Sequence, residues 1–127
     1  MIVWAVFLAW FLAQLCKVVH QKKGHAFWES GGMPSSHAAV VTALCGSIYV
    51  ESGFSLLFAA CVVFSLIILH DALTVRWQAG VQAGLLNQLL SAKKRAKTPL
   101  SKSLGHRPSE VLAGIALGLL VVIAFYL

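Results

Sequence analysis

Charge is what this chain has least of. It carries 4 acidic and 10 basic residues among 127, or 11% charged, against about a quarter in an ordinary soluble domain. With so few charges it cannot cover itself in water, and that excludes a soluble globular protein. Cysteine is scarce too. Cys16, Cys45 and Cys61 lie in apolar segments at no metal-like spacing. They read as small buried hydrophobes, which excludes a disulfide framework or a zinc site. No basic residue precedes the first apolar run, and Cys16-Lys17-Val18 makes a poor cleavage site. The first run is therefore expected to be an uncleaved helix and not a signal peptide. Internal repeats and low-complexity tracts are absent as well.

What is present is hydrophobic length. Met1–Cys16, Gly32–Val50, Ser52–His70 and Val111–Leu127 contain no Asp, Glu, Lys or Arg. A bilayer core asks for about 20 helical residues, with a range of roughly 17–25. These four runs sit at the short end, so their polar ends are expected at headgroup level. Four buried core helices of a soluble protein would leave almost nothing in so short a chain to shield them. The expectation is an all-α integral-membrane bundle of four transmembrane helices, in one domain over 1–127.

The distribution of charge sets the topology. All ten Lys and Arg fall in Lys17–Lys23, at Arg76, and in Lys93–Arg107. Threading the four helices puts every one of them on the same side, with Glu51 and both termini on the other. The positive-inside rule makes the basic side cytoplasmic, here the inside of a cell (inner) membrane. The loop 17–33 offers Phe27 and Trp28 to a membrane interface. Pro34 is expected to open the second helix, with Ser35 or Ser36 as its cap. "HDALTVRWQAGVQAGLLNQLL", residues 70–90, reads as an extension of the third helix or a short interfacial helix. Lys93 to Lys102 serve topology and attraction to anionic lipid, and no nucleic-acid partner is expected. Pro108 falls in the first turn of the last helix, and Gly114 and Gly118 give a spacing for close helix packing.

Four helix ends meet on the basic side, each with a polar group. Lys17 ends the first helix. Ser35, Ser36 and His37 begin the second. His70, Asp71 and Arg76 follow the third, while His106, Arg107 and Glu110 open the last. Helix N-termini present free N–H groups and a positive dipole end, so they favour an anion. Lys17 and Arg76 add charge, and phosphate is the economical ligand. His106 and Glu110, four apart, are expected on one helical face, the carboxylate fixing the tautomer and freeing the other ring nitrogen for attack. His37 is placed to protonate a departing oxygen. The bland readings are a local hydrogen bond for His106 and Glu110, a snorkelling Lys17, caps for the serines, and a structural ion pair for Asp71 and Arg76. His20 and His25 belong to a solvated loop.

"GGMPSSHAA", "HDALTVRWQAG" and "LGHRPSEVLAG" together resemble the divergent branch of the type-2 phosphatidic acid phosphatase (PAP2) family, in order from about Lys17 to Gly118. The resemblance implies a PAP2-like core and a phosphohistidine mechanism. His106 is then the nucleophile, Glu110 its orienting partner and His37 the acid. Lys17, Ser35, Ser36 and Arg76 hold phosphoryl oxygens. Ser36 stands where the wider family has Gly, and Glu110 where it has Asp. Pro99-Leu100 replaces an expected Ser-Arg pair, and no Arg-Pro pair follows Lys17 at the usual spacing. Asp71 has no counterpart there; with Glu110 and Glu29 it leaves room for a divalent cation such as Mg²⁺, although the wider family needs no cofactor. The expected activity is hydrolysis of a phosphomonoester or pyrophosphate lipid at the cytoplasmic face, with the bilayer and a phosphorylated lipid as partners and a homo-oligomer as one way to complete the lipid groove. The alternatives are a non-catalytic phospholipid-headgroup binder or lipid carrier and, last, vanadate-dependent oxidation.

Overall fold

The computed structural model describes residues 1–22, 24, 31–92, 100 and 105–127. Among these, all regular structure is helical: α1 (Ile2–Gln21), α2 (Ser36–Ser52), α3 (Leu56–Leu73), α4 (Val75–Ala92) and α5 (Pro108–Tyr126). Expectations resting on His25, Phe27, Trp28, Glu29 and Lys93 to Lys97 lie outside the described residues.

Small residues decide the packing. Ala5, Ala9 and Ala13, each one turn apart on α1, are completely buried, as are Ala39 and Ala43 of α2. With Val121 and Val122 of α5 they form the core. Helix α2 lies at the centre, against α1, α5 and α3. Its contact with α5 is the most extensive, and Gly114 and Gly118 let the two backbones come close. A Cβ on Gly114 would run into the Ser35 carbonyl, and one on Gly118 would sit 2.6 Å from the Ala39 carbonyl oxygen. Only glycine lets these two backbones approach so far, so the expected packing role of that pair is realised.

Among the described residues, two helices and one longer stretch are long and apolar enough to cross a membrane: α1, α5, and Leu56–Ser91, which takes in α3 and most of α4. Helix α2 has 17 residues, roughly 26 Å at 1.5 Å per residue, and is the fourth member of the bundle, antiparallel to α1 and α3 and parallel to α5, with Ser35 beside Glu110 at one end and Glu51 beside Tyr126 at the other. It starts later than expected. Pro34 lies ahead of the helix, and Ser35 is the cap, its hydroxyl accepting from the Ala38 N–H at 3.3 Å. At the far end the Tyr126 hydroxyl donates to Glu51 at 2.7 Å, tying α5 to α2.

Residues 70–90 behave as an extension of the third helix, and a longer one than a short interfacial segment. Thr74 alone separates α3 from α4. The helical ladder continues across it, from Thr74 N–H to the His70 carbonyl and from Gln78 N–H to the Thr74 carbonyl, both 2.9 Å. The Thr74 hydroxyl also donates to the His70 carbonyl at 2.6 Å, a back-bond that bends helices. Beyond it, Asn87 exchanges two 2.8 Å hydrogen bonds with the backbone of Leu100.

The cysteines depart from the uniform reading. Cys61 is buried, Cys45 half-buried and Cys16 exposed. The Cys45 and Cys61 sulfurs lie 2.8 Å apart across the α2–α3 contact.

Candidate active site

One end of the bundle collects the C-terminal parts of α1 and α3 and the N-termini of α2 and α5. The alanine stripe of α1 continues through one more turn to Lys17, whose side chain is fully buried. Lys17 therefore points into the bundle and does not snorkel. It also stands a turn before the end of α1, not at it. Its ammonium donates to the Ser36 hydroxyl at 3.3 Å. Inclusion in the small-residue stripe was the sequence signal for this orientation.

Helix α5 fixes the start of α2. The Ser35 N–H donates to the Glu110 carbonyl at 2.9 Å, one turn from the close approach at Gly114. Ser35 spends its hydroxyl on capping and is itself fully buried. Ser36, next to it, faces Lys17.

His106 is not on the helical face assigned to it from spacing. Arg107 precedes Pro108, and a residue before proline is driven out of the helical region. Arg107 is accordingly extended, at φ −78°, ψ 153°, and α5 begins only at Pro108. His106 sits ahead of the helix, and Glu110 reaches back to it. One carboxylate oxygen, Oε2, accepts from the Arg107 N–H and from His106 Nδ1, both at 3.1 Å. The His106 backbone is pinned from the other side, its N–H donating to the Ala72 carbonyl of α3 at 3.2 Å. A Cβ on the preceding Gly105 would collide with the Trp77 backbone of α4.

These bonds set the imidazole. With Nδ1–H given to Glu110, Nε2 carries the lone pair. Nε2 is buried and has no partner among the described residues. Burial pushes the His106 pKa below its ordinary value; the Glu110 bond opposes this, and the charges of Lys17 and Arg76 reinforce it. The ring is therefore neutral at pH 7. The His37 ring lies 5.7 Å from it, centroid to centroid, at 65°, and His37 Nδ1 is likewise buried without a partner.

Arg76 and Asp71 pair across the Thr74 bend, Arg76 Nε donating to Asp71 Oδ2 at 2.7 Å with both side chains exposed. An exposed pair of this kind contributes about 0–1 kcal/mol, so it does little for the fold. Asp71 thus faces Arg76 and does not converge with Glu110. Among the described residues no three His, Cys, Asp or Glu side chains gather around one point, and the third carboxylate considered for a cation, Glu29, lies outside them. His70 is exposed at the end of α3.

A cleft of about 460 Å³ opens beside His106, lined by Leu73, Trp77, Arg107, Pro108 and Ser109. Sequence reasoning passed over Gln14. It is buried one turn before Lys17 on the inner side of α1, and its Oε1 has no partner among the described residues. A polar side chain inside a membrane span was the available signal.

No solved structure matches this chain. The uncharacterized membrane protein YuiD of Bacillus subtilis (strain 168) is 38% identical, the alignment covering 76% of this chain and 73% of the relative. Residues 1–121 match the divergent PAP2 family. Helices of membrane-crossing length, a membrane-protein relative and a match over nearly the whole chain agree, and this membrane protein belongs to the divergent PAP2 family.

Proposed function

We propose that the protein is a lipid phosphatase that cleaves a phosphomonoester or pyrophosphate lipid through a phosphohistidine on His106. The observation that carries this reading is the setting of His106: bonded to Glu110 through Nδ1, with Nε2 buried, without a partner among the described residues and beside a second histidine.

The Nε2 lone pair attacks phosphorus as the bond from phosphorus to the lipid oxygen breaks. His37 gives that oxygen its proton and leaves as the base. Water then attacks the phosphohistidine, His37 takes a proton from it, and inorganic phosphate departs with His106 restored. Charge on the phosphoryl oxygens is met by Lys17, the Ser36 hydroxyl and the N-terminus of α2, a fixed arrangement in a water-poor site, and by Arg76 from the exposed edge. Lys17 and Arg76 supply this charge from the chain itself, so the reaction is assigned no divalent cation. Glu110 positions His106 and does not touch the substrate. Asp71 steers Arg76. All ten Lys and Arg fall in segments that threading puts on this side of the membrane, which supports a cytoplasmic site.

The test is phosphate release in detergent from phosphatidic acid, phosphatidylglycerophosphate and polyprenyl phosphates and pyrophosphates, each with Mg²⁺ and with EDTA. Release by the wild type that is lost in both His106→Ala and His37→Ala is the expected result. Equal lipid binding by wild type and variants without release would instead identify a headgroup-binding protein.

A further inference from the structure

Among the apolar openings beside the candidate site, one lies at His106 and another at His37, and chemistry distinguishes these two. In an in-line displacement the nucleophile and the leaving oxygen lie on opposite sides of phosphorus. The lipid is attached to the leaving oxygen, for a phosphomonoester and a pyrophosphate alike. Its hydrocarbon chain therefore lies away from His106 Nε2, on the side of the acid, His37.

A groove begins there. A recess of about 190 Å³ is lined by Trp10, Ser36, His37, Val40, Val41 and Ile68. Val41 and Ile68 also line a second recess of about 420 Å³, which continues between α2 and α3 past Leu44 and Phe64 to Ile48 and Leu57. Sharing Val41 and Ile68, the two recesses lie end to end along the α2–α3 hairpin. Twelve helical positions separate Ser36 from Ile48, so the path is roughly 18 Å long at 1.5 Å per residue. It reaches beyond the middle of a hydrocarbon core about 30 Å thick. Its head end holds Ser36 and His37, with Lys17 bonded to Ser36; its far part has no charged residue. A cationic mouth over an uncharged groove is complementary to an anionic head on a long hydrocarbon chain.

We infer that the α2–α3 groove holds the hydrocarbon chain of the lipid whose phosphate lies between His37 and His106. This rests on the phosphatase reading and adds to it which side of the molecule the lipid occupies and how the enzyme reads its chain. Ala60 is an exposed small residue on the groove wall. Ala60→Trp fills the groove without entering the α2–α3 contact and raises KM progressively with chain length.

The experiment uses the full-length protein in detergent with phosphatidic acid bearing a diazirine at mid-chain. Photolabelled positions are mapped by mass spectrometry in wild type and Ala60→Trp. Labelling of Leu44, Phe64 and Ile68 several-fold above Val63, Leu66 and Ile67 on the outer side of α3 is expected. Excess phosphatidic acid should abolish that preference, diacylglycerol should not, and Ala60→Trp should reduce it. Even labelling along α3, or a preference that phosphatidic acid does not compete away, overturns the groove assignment. The readout does not need turnover. Preferential, competed labelling without phosphate release retains the groove and removes the phosphatase, whereas release with even labelling removes the groove alone.

Discussion

The cluster of α1, α2 and α5 and the limb formed by α3 and α4 are both built mainly from apolar residues and pack in opposite ways. Helix α2 buries seven of its 17 residues: Ser36, Ala38, Ala39, Val41, Ala43, Ser47 and Ile48. Helix α3, with 18 residues, buries only Cys61 and Ala72. Inside a bilayer a large apolar side chain gains little by leaving lipid for protein, so association goes to helices whose small residues let backbones approach. Alanine on α1 and glycine on α5 supply that approach. The bulky Leu, Ile, Val and Phe of α3 leave it facing lipid. The chemistry divides along the same line. The cluster shields Lys17, His106 and the serines from solvent, where charge acts strongly, while the limb contributes Arg76 and Asp71 at an exposed edge.

Substitutions sharpen this contrast. The largest effect is expected at His106: His106→Ala lowers phosphate release by roughly 10³-fold or more, as loss of a nucleophile does elsewhere. The two cations come next and separate by burial. Lys17→Met costs about 10²–10³-fold in kcat, the range for a preorganised stabiliser in a water-poor site. Arg76→Met, at an exposed position, costs less and acts mainly on KM. Equal effects of the two would break the distinction between buried and exposed charge.

Stability follows the same division on a smaller scale. Gly118→Leu drives a side chain into the Ala39 carbonyl and the Thr42 Cβ, and overpacking of this kind costs about 1–3 kcal/mol. Leu66→Ala, on the exposed side of α3, stays within about 0.5 kcal/mol. Thermal unfolding of the two variants in one detergent measures the difference directly.

The pH dependence is the finest test. Burial depresses the His106 pKa, so its acid limb falls below the ordinary value of 6.5. Activity falls about tenfold per unit once the His106 ring protonates, and the opposite, high-pH limb belongs to loss of the proton that His37 donates. Glu110 opposes the depression, so Glu110→Gln moves the limb to still lower pH. The same sign holds for folding. Below pH 6.5 the unfolded chain takes up the proton first, and the stability contributed by the neutral buried ring is lost as pH falls.

Much of the architecture was legible in the sequence. The four charge-free runs, the start of the last helix at Pro108 and the Gly114–Gly118 contact are written in local composition. The site was legible as a list of residues but less so as geometry. Spacing put His106 and Glu110 on one helical face. The pair meets, but through a carboxylate reaching back past an extended Arg107, because proline constrains the residue before it. Lys17 looked terminal because charge ends the hydropathy run, yet the helix continues a turn further. The Ala5, Ala9 and Ala13 stripe carried the missing information about which way Lys17 faces. Gln14 was overlooked since one amide barely changes a hydropathy average. The break between α3 and α4 falls at Thr74, whose hydroxyl bonds back to the His70 carbonyl, a detail that periodicity does not record.

The account stands most directly on the covalent intermediate at His106. Brief reaction of the wild type with a lipid phosphate radiolabelled at phosphorus, quenched in alkali and mapped by peptide, is the decisive measurement. An acid-labile, alkali-stable phosphoryl group on the His106 peptide, absent from His106→Ala, is the predicted result. Steady hydrolysis with no label on His106 at any quench time, or hydrolysis that survives in His106→Ala, would contradict it.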